Sequence, residues 1–346
     1  MNTINRFYCA LIFCGIFFIA CSKDSDKCLL QSDPEAPAGY SMSLLGNINF
    51  DGALEAIQFV DEQNGFVLGT AGDDDHAVIL KTVDGGTNWT SMEVLPAFTP
   101  ISMLFLDAEI GFIPHYATDE YAHLLKTTDG GDSWDALSFP DLPGRFYDLC
   151  RDEAGNLFAI LKDNFTTHRL VRSADQGETW EVIRELPEPS TDILRLYNNV
   201  LYVVTTDKKI LQFDLDGNAV GETKIELTNN NTVELLVLDP DNMIAVSFYA
   251  VVKTKDGGAH WEKIYDQEAK LLNFSDPDHG IMIFNRGYCY DNPLVTSVIS
   301  STFDGGQSWQ DSEDTEELIT RSKGAFVLDN TRMFLLVDNL VYQISK

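Results

Sequence analysis

Basic residues are scarce in this chain of 346 residues: 24 lysines and arginines stand against 54 aspartates and glutamates. The formal net charge is −30. Binding to a nucleic-acid backbone needs clustered lysine and arginine, so this balance excludes nucleic acid as a partner. The same charge disfavours adsorption to anionic lipid and mainly confers solubility. Hydrophobic residues make up 44% of the chain, which is enough to fill a large core.

The sequence also lacks the spacings of disulfide frameworks, metal sites and common catalytic motifs. Cys28, Cys150 and Cys289 have no paired spacing, which argues against a disulfide framework and against zinc. The six histidines are scattered, and no G-x-S-x-G, Walker loop or dinucleotide fingerprint occurs. The acidic run Asp73–Asp75 lacks the alternating spacing of a calcium loop and is interpreted as a solvated loop. We therefore expect neither a cofactor nor a metal.

The apolar run at the amino terminus, Phe7 to Ala20, is too short to cross a bilayer. It has 14 residues, whereas a membrane-spanning helix needs about 20. Its length is typical of the apolar region of a secretory signal. A buried amino-terminal strand is the alternative, but the polar residues from Ser22 to Lys27 argue against it. We therefore expect residues 1–20 to be a signal peptide.

The run ends in Phe18-Ile19-Ala20-Cys21, which resembles a bacterial lipobox, with Phe18 where Leu is usual. The resemblance implies that Cys21 is diacylated and becomes the mature amino terminus. We expect residues 21–38 to form a lipidated flexible tether. The expected location is an outer membrane, on its surface or on its periplasmic face. The acidic stretch after Cys21 resembles the export tag of surface lipoproteins, although a solvated tether would have the same composition.

All five tryptophans occupy the same position in one short motif, S/T-x-D-x-G-x-x-W. A degenerate copy around Asp216 and Gly217 divides the longest interval, so that the motif recurs every 40 to 48 residues. A fixed period of this length is the signature of a repeat fold. The complete copies have their Asp and Trp at Asp84 and Trp89, Asp129 and Trp134, Asp175 and Trp180, Asp256 and Trp261, and Asp304 and Trp309.

The motif has the composition of a hairpin turn. The Asp carboxylate is expected to accept hydrogen bonds from backbone N–H groups two or three residues on, and Gly supplies a positive φ. Trp then lays its ring over the hairpin. We predict that these residues are structural rather than catalytic or calcium-binding. Replacing one Trp by Ala should then cost roughly 3–5 kcal/mol of stability.

A second pattern, in which an Asp and a Gly separate two strand-like segments, precedes each motif. Ile57–Leu68, Leu104–Ile113 and Asn273–Ile283 are its clearest copies. Each unit therefore contains about four short strands, which is typical of a β-propeller blade. The sequence predicts an all-β fold over residues 39–346 with seven four-stranded blades, closed when Tyr40–Leu45 pairs with the carboxy-terminal strands. A six-bladed ring with residues 318–346 as an appendage is the alternative.

The motif resembles the Asp-box of sialidase-like propellers. The paired patterns together resemble the photosystem II assembly-factor family and its bacterial relatives, over nearly all of the mature chain. In photosynthetic members the resemblance implies an assembly factor that binds membrane-protein intermediates through a basic patch, which this chain is too poor in Lys and Arg to form. Sialidase chemistry is disfavoured too, because no R-I-P or R-L-P motif occurs and no Arg lies between Arg6 and Arg145.

The ligand is expected on the rim opposite the Asp-boxes, where loops carry aromatic and amide side chains. We predict a monomeric, non-catalytic binding or assembly module for a protein or glycan, with a glycoside hydrolase as the alternative. Tyr121, Phe248 and Tyr249 are interpreted as strand-flanking residues that pack between blades. The candidate ligand-binding residues are His115, Tyr116, Phe165, His168, Arg286, Tyr288, Tyr290 and Asp291.

Overall fold

The computed structural model describes most of the chain after residue 38. The described residues are 39–71, 76–93, 102–115, 117, 119–163, 167–187, 189–227, 232–247, 249–266, 269–274, 276–286, 296–311, 322–329, 332–337 and 339–345. They form 28 strands in seven four-stranded antiparallel sheets. No helix among them is long and apolar enough to span a membrane. The predicted all-β propeller with seven blades is confirmed.

Blades are numbered here in chain order. The strands of blade 1 are β2 (Ala53–Phe59), β3 (Gly65–Ala71), β4 (His76–Thr82) and β5 (Thr90–Glu93). Those of blade 2 are β6 (Leu104–Phe105), β7 (Gly111–Pro114), β8 (Tyr121–Thr127) and β9 (Asp135–Pro143). Those of blade 3 are β10 (Arg145–Arg151), β11 (Leu157–Lys162), β12 (His168–Ser173) and β13 (Glu181–Glu185). Those of blade 4 are β14 (Ser190–Tyr197), β15 (Val200–Thr205), β16 (Lys209–Asp214) and β17 (Ala219–Lys224).

The remaining three blades follow the same plan. The strands of blade 5 are β18 (Thr232–Val237), β19 (Met243–Ser247), β20 (Val251–Thr254) and β21 (Glu262–Tyr265). Those of blade 6 are β22 (Ala269–Phe274), β23 (Gly280–Arg286), β24 (Thr296–Thr302) and β25 (Gln310–Asp311). Blade 7 consists of β26 (Ser322–Asp329), β27 (Arg332–Val337), β28 (Leu340–Ser345) and β1 (Ser41–Asn47).

The ring closes through both ends of the described chain. Strand β1 pairs antiparallel with β28, from Ser41 opposite Ser345 to Asn47 opposite Leu340. The hydroxyl of Ser41 also donates to the carbonyl of Ser345 at 3.2 Å. The predicted closure is therefore confirmed, and the six-bladed alternative is wrong. Closure matters because an unpaired strand edge invites aggregation.

The hydrophobic core lies between neighbouring blades. Phe59 of blade 1 stacks on Phe334 of blade 7 with ring centroids 3.6 Å apart, and Phe66 stacks on Phe105 of blade 2 at 3.5 Å. Seven clusters of buried side chains repeat this arrangement around the ring. The blades are thus held by seven apolar interfaces, one between each pair of neighbours, which fix the positions of the turns at both rims.

The alternation of antiparallel strands places the connections on two opposite rims. The turns between the first and second strands and between the third and fourth strands lie on one side, which we call the box rim. Gly85 in the first Asp-box donates to the carbonyl of Gln63 at 2.9 Å, which joins these two turns of blade 1. The loops between the second and third strands, with the blade-to-blade connections, lie on the other side, which we call the loop rim.

Candidate functional site

Each Asp-box is closed by hydrogen bonds of its own residues. In the first box, Asp84 accepts from the backbone N–H of Asn88 at 2.9 Å, four residues on rather than two or three as expected from the sequence. The hydroxyl of Thr82 donates to Asp84 and accepts from Gly86 N–H, both at 2.9 Å. Gly85 and Gly86 have φ angles of +72° and +92°, as the turn requires. The Asp and Ser/Thr pattern repeats at Asp129, Asp175, Asp256 and Asp304.

These hydrogen bonds hold the box carboxylates in the ionised form. The hydroxyl of Ser133 lowers the pKa of Asp129 to about 2, and that of Ser308 does the same for Asp304. The backbone N–H of His260 is the main cause of the pKa of about 2 at Asp256. A carboxylate occupied by its own turn is unsuited to proton transfer at neutral pH. The boxes therefore have the geometry of structural turns.

The box tryptophans are half-buried, and four of the five pack against a phenylalanine of the same blade. Trp89 lies edge-on to Phe59 with ring centroids 6.1 Å apart, and Trp134 has the same relation to Phe105. Trp309 repeats it on Phe274, while Trp180 lies 4.7 Å from Phe146 and Trp261 packs on the core between blades 4 and 5. Edge-to-face pairs of this kind stabilise the hairpin.

A basic residue directly before the box joins each of several blades to the next one. Lys126 pairs with Glu178 of the blade 3 box. Arg172 donates to Leu215 O at 3.2 Å and to Asp216 at 2.8 Å, both in the degenerate box of blade 4. Lys253 is 2% exposed and donates to Gly305 O of the blade 6 box at 3.4 Å. The sequence analysis missed these contacts between blades. The Lys or Arg directly before the box Ser or Thr could have indicated them.

The sequence predicts the candidate residues at the loop rim, and the structure describes only part of them. Tyr116, Phe165, Tyr288, Tyr290 and Asp291 lie outside the described residues. Arg286 ends β23, and its backbone alone is described. These assignments remain predictions.

His115 is buried, with 3% of its surface exposed, at the loop-rim end of blade 2. Its ring centroid lies 5.4 Å from that of His123. The Nε2 atom of His123 is 2.6 Å from a carboxylate oxygen of Asp119, and this contact is the main cause of the lowered pKa of Asp119. The two histidine rings thus pack beneath the rim, while Asp119 is exposed beside them.

His168 is half-buried between blades 3 and 4. Its Nδ1 accepts from the backbone N–H of Ser190 at 2.8 Å, so in the neutral ring the proton is on Nε2. Burial lowers the pKa of His168, and the nearby ammonium of Lys162 lowers it further. Lys162 itself bridges to Asp192 of blade 4 and lies 4.9 Å from the ring centre of Tyr147. His168 therefore also has a structural role, because it fixes the connection between two blades.

Two tyrosines that the sequence analysis assigned to packing are exposed at the loop rim. Tyr249 has 62% of its surface exposed and Tyr121 has 41%. Tyr249 lies in a tight turn, in which Ser247 N–H donates to Ala250 O at 2.9 Å. The Ser247 hydroxyl accepts from the Ala250 N–H at 3.0 Å. The packing interpretation is wrong for these two residues, while Phe248 lies outside the described part. An exposed tyrosine ring beside a hydrogen-bonded serine is a suitable contact for a protein partner.

The strands nearest the propeller axis carry an ion-pair triad. Arg195 on β14 donates to Asp148 on β10 at 2.6 Å and pairs with Glu234 on β18. The guanidinium also donates to Leu235 O at 3.1 Å. The three side chains are each about a third exposed. Burial raises the pKa of Asp148, against the opposing effect of Arg195. The triad joins blades 3, 4 and 5.

The described residues include no group of three histidine, cysteine or acidic side chains placed to hold a metal ion. The expectation that Asp73–Asp75 forms a solvated loop falls outside the described residues.

Comparison with known proteins supports the resemblance expected from the boxes. The family model of the photosynthesis system II assembly factor YCF48 matches residues 45–183. The resemblance to that family is therefore confirmed over this part of the chain, which comprises blades 1 and 2 and most of blade 3. Among proteins of curated function, none matches the sequence.

Solved structures show the same fold at low sequence identity. A structure described as YCF48 bound to D1 peptide is 17% identical, with a TM-score of 0.66, and the match covers 91% of this chain and all of that one. YCF48 from Cyanidioschyzon merolae is 13% identical, with a TM-score of 0.65, over 88% of this chain and 98% of that one. The GH74 enzyme of Niastella koreensis is 12% identical, with a TM-score of 0.60, over 87% of this chain and 53% of that one.

Proposed function

We propose that this propeller is a non-catalytic binding or assembly module for a protein ligand, held at an outer membrane by a lipid on Cys21. The ligand binds at the loop rim. The observation that carries the proposal is Tyr249, which is 62% exposed on a turn fixed by Ser247. Tyrosine contributes a large contact area at a small loss of side-chain entropy, and it is enriched at protein interfaces.

The box rim is the less suitable binding surface. Its carboxylates accept hydrogen bonds within their own turns, and its lysines reach the neighbouring blade. A ligand at this rim would compete with contacts that keep the blades together. At the loop rim the described tyrosines Tyr121 and Tyr249 take part in no comparable network.

The relatives support a protein ligand rather than a sugar. The YCF48 family model matches the first blades, and one YCF48 propeller of the same fold is described as bound to a D1 peptide. That ligand belongs to YCF48. For this chain we propose a peptide segment of a partner protein, without assigning its sequence.

The lipid anchor rests on the sequence alone. Phe18-Ile19-Ala20-Cys21 has the small residue before cysteine that lipid attachment requires. Two or more acyl chains give a stable anchor, whereas a single chain does not. Labelling with a fatty-acid analogue in cells should modify wild-type protein and leave the Cys21→Ala variant unlabelled. Equal labelling of both would exclude this anchor.

A glycoside hydrolase is the rival function, and the GH74 structures are its support. Hydrolysis needs two carboxyl groups that face a sugar, about 5–5.5 Å apart for retention or 6.5–9.5 Å for inversion. Asp148 and Glu234 are the carboxylates of the described ion-pair triad, and the guanidinium of Arg195 lies between them. A sugar would have to displace this paired guanidinium to reach both. This arrangement favours binding over hydrolysis.

The decisive experiment selects peptides from a random 15-residue phage library on the protein that starts at Cys28. Tyr249→Ala should weaken the selected peptides about 10-fold or more, the loss typical of an aromatic hot spot. Val83→Ala is the matched control, because Val83 is 63% exposed but lies on the box rim. It should leave binding unchanged.

Equal losses in the two variants would remove Tyr249 from the site. Failure to select any peptide would contradict a peptide ligand. In parallel, the same protein is incubated with xyloglucan and with a sialoside. Release of sugar from either would establish the rival function.

A further inference from the structure

The described chain begins at a definite place on the box rim. Gly39 and Tyr40 lie against Phe303, which belongs to the Asp-box of blade 6. The rings of Tyr40 and Phe303 have centroids 6.3 Å apart, and His279 packs edge-on to Phe303 at 5.8 Å. Gly39 has a φ of +79°, and a Cβ there would lie 2.7 Å from Phe303 Cζ. Gly39 and Tyr40, the two residues directly before β1, therefore lie against this rim.

The direction of β1 agrees with that contact. Ser41 pairs with Ser345 at the end of β28, where the third strand of a blade meets the box rim. Asn47 at the other end pairs with Leu340, beside the loop-rim turn at Asn339. The chain thus enters the propeller at the box rim and first reaches the loop rim at the end of β1.

The box rim is also strongly acidic. The turns of blade 1 contribute Asp61, Glu62 and Asp84, and those of blade 5 contribute Asp239, Asp241 and Asp256. In the box-rim turns of blades 1 to 6, all of which the structure describes apart from residue 275, Lys255 is the one Lys or Arg within a turn. Lys126, Arg172 and Arg332 reach these turns from the strands, pair with Glu178, Asp216 and Glu62, and offset part of the acidic charge. Such a surface is repelled by anionic lipid over about 8 Å, the screening length at physiological salt.

We infer that the box rim is the surface that faces the anchoring membrane, at a distance, so that the loop rim faces away from it. The inference rests on the lipid anchor of the proposed function. The 18 residues from Cys21 to residue 38 reach about 23 Å as a flexible chain and about 60 Å when fully extended. Turning the loop rim to the membrane would force this tether around the side of a blade. The lipid anchor brings the box rim nearer to the membrane than the loop rim, and the carboxylates of the box rim prevent this rim from adsorbing to the lipid.

This orientation fits the partner that the loop rim is proposed to bind. A rim that points away from the anchoring bilayer is open to a second protein in the same envelope space. The box rim faces the lipid head groups across a gap.

The test uses full-length lipidated protein in vesicles of phosphatidylethanolamine and phosphatidylglycerol that contain a lipid with an energy-acceptor dye on its head group, which quenches a donor fluorophore by energy transfer. Cys28, Cys150 and Cys289 are replaced by Ser, and a fluorophore is attached at Val83→Cys or at Tyr249→Cys. Both positions are exposed to the same extent, 63% and 62%, on opposite rims. Along the blade they differ in height by about 23 Å, since a seven-residue strand rises 3.3 Å per residue. Quenching at position 83 should exceed quenching at position 249, because energy transfer falls steeply with distance.

Equal quenching, or greater quenching at position 249, in protein that co-floats with the vesicles would overturn the orientation and leave the anchor and the peptide site intact. Failure of the protein to co-float would overturn the anchor and the orientation together. Peptide binding by the soluble protein is a separate readout in both cases.

Discussion

Single carboxylates in the Asp-boxes make the fold sensitive to acid. Asp129 accepts from the Ser133 hydroxyl at 2.6 Å and from the Ser133 N–H at 2.9 Å, and both bonds favour its ionised form. A carboxyl whose pKa is lower in the folded chain contributes stability above its unfolded pKa and loses that contribution as the pH falls through the folded value. For Asp129 this window extends from 3.8 down to about 2.

We therefore expect the urea midpoint to fall between pH 4 and pH 2. Asp129→Asn should lower stability at pH 7 by at most about 1 kcal/mol, because the exposed carboxylate is screened by solvent. Its further loss between pH 4 and pH 2 should be smaller than that of wild type. Asp132→Asn, in the same turn, is the control and should follow wild type. Parallel curves for Asp129→Asn and wild type would show that this carboxylate does not contribute.

At the scale of whole elements, several blades are joined by a Lys or Arg side chain that contacts the Asp-box of the next blade. Lys253 lies on β20 of blade 5, and its ammonium donates to the carbonyls of Pro277 and Gly305 in blade 6. Its ammonium also lies 5.4 Å from the ring centre of Phe274. Burial lowers the pKa of Lys253, since few solvent molecules reach it. Two turns of blade 6 thus depend on one side chain of blade 5.

Replacing Lys253 by Met keeps the apolar stem but leaves the two carbonyls without this donor. The expected cost is roughly 1–3 kcal/mol, the penalty for buried polar groups that lose a partner. Urea denaturation followed by tryptophan fluorescence measures it. Lys255→Met, two residues along and exposed, should change stability by less than about 0.5 kcal/mol. Similar losses in both variants would mean that charge, and not this contact, is what matters.

At the scale of the whole molecule, the propeller fold was predictable from the repeats of the sequence. The period of the boxes predicted the division into blades. The unmatched segment Tyr40–Leu45 predicted how the ring closes, because a blade with three strands needs a fourth. These inferences succeeded because turn chemistry and strand alternation are local properties of the sequence.

The site was less predictable, because exposure depends on how the blades pack. Tyr249 and Tyr121 were expected to pack between blades, yet the Ser247 turn leaves Tyr249 at the rim. Conversely, His115 is buried and His168 is bonded to the next blade. The triad of Asp148, Arg195 and Glu234 joins residues 39 to 47 positions apart, and no local pattern in the sequence indicates it.

The central claim is that a protein ligand binds at the loop rim. Amide hydrogen exchange of the propeller, with and without the tightest peptide from the library, tests it most directly. The account predicts slower exchange in the turn from Ser247 to Ala250 and in the strand ends beside Tyr121, with the box turns from Asp84 to Asn88 unchanged. Slower exchange in the box turns, with none in the Ser247 turn, would contradict it.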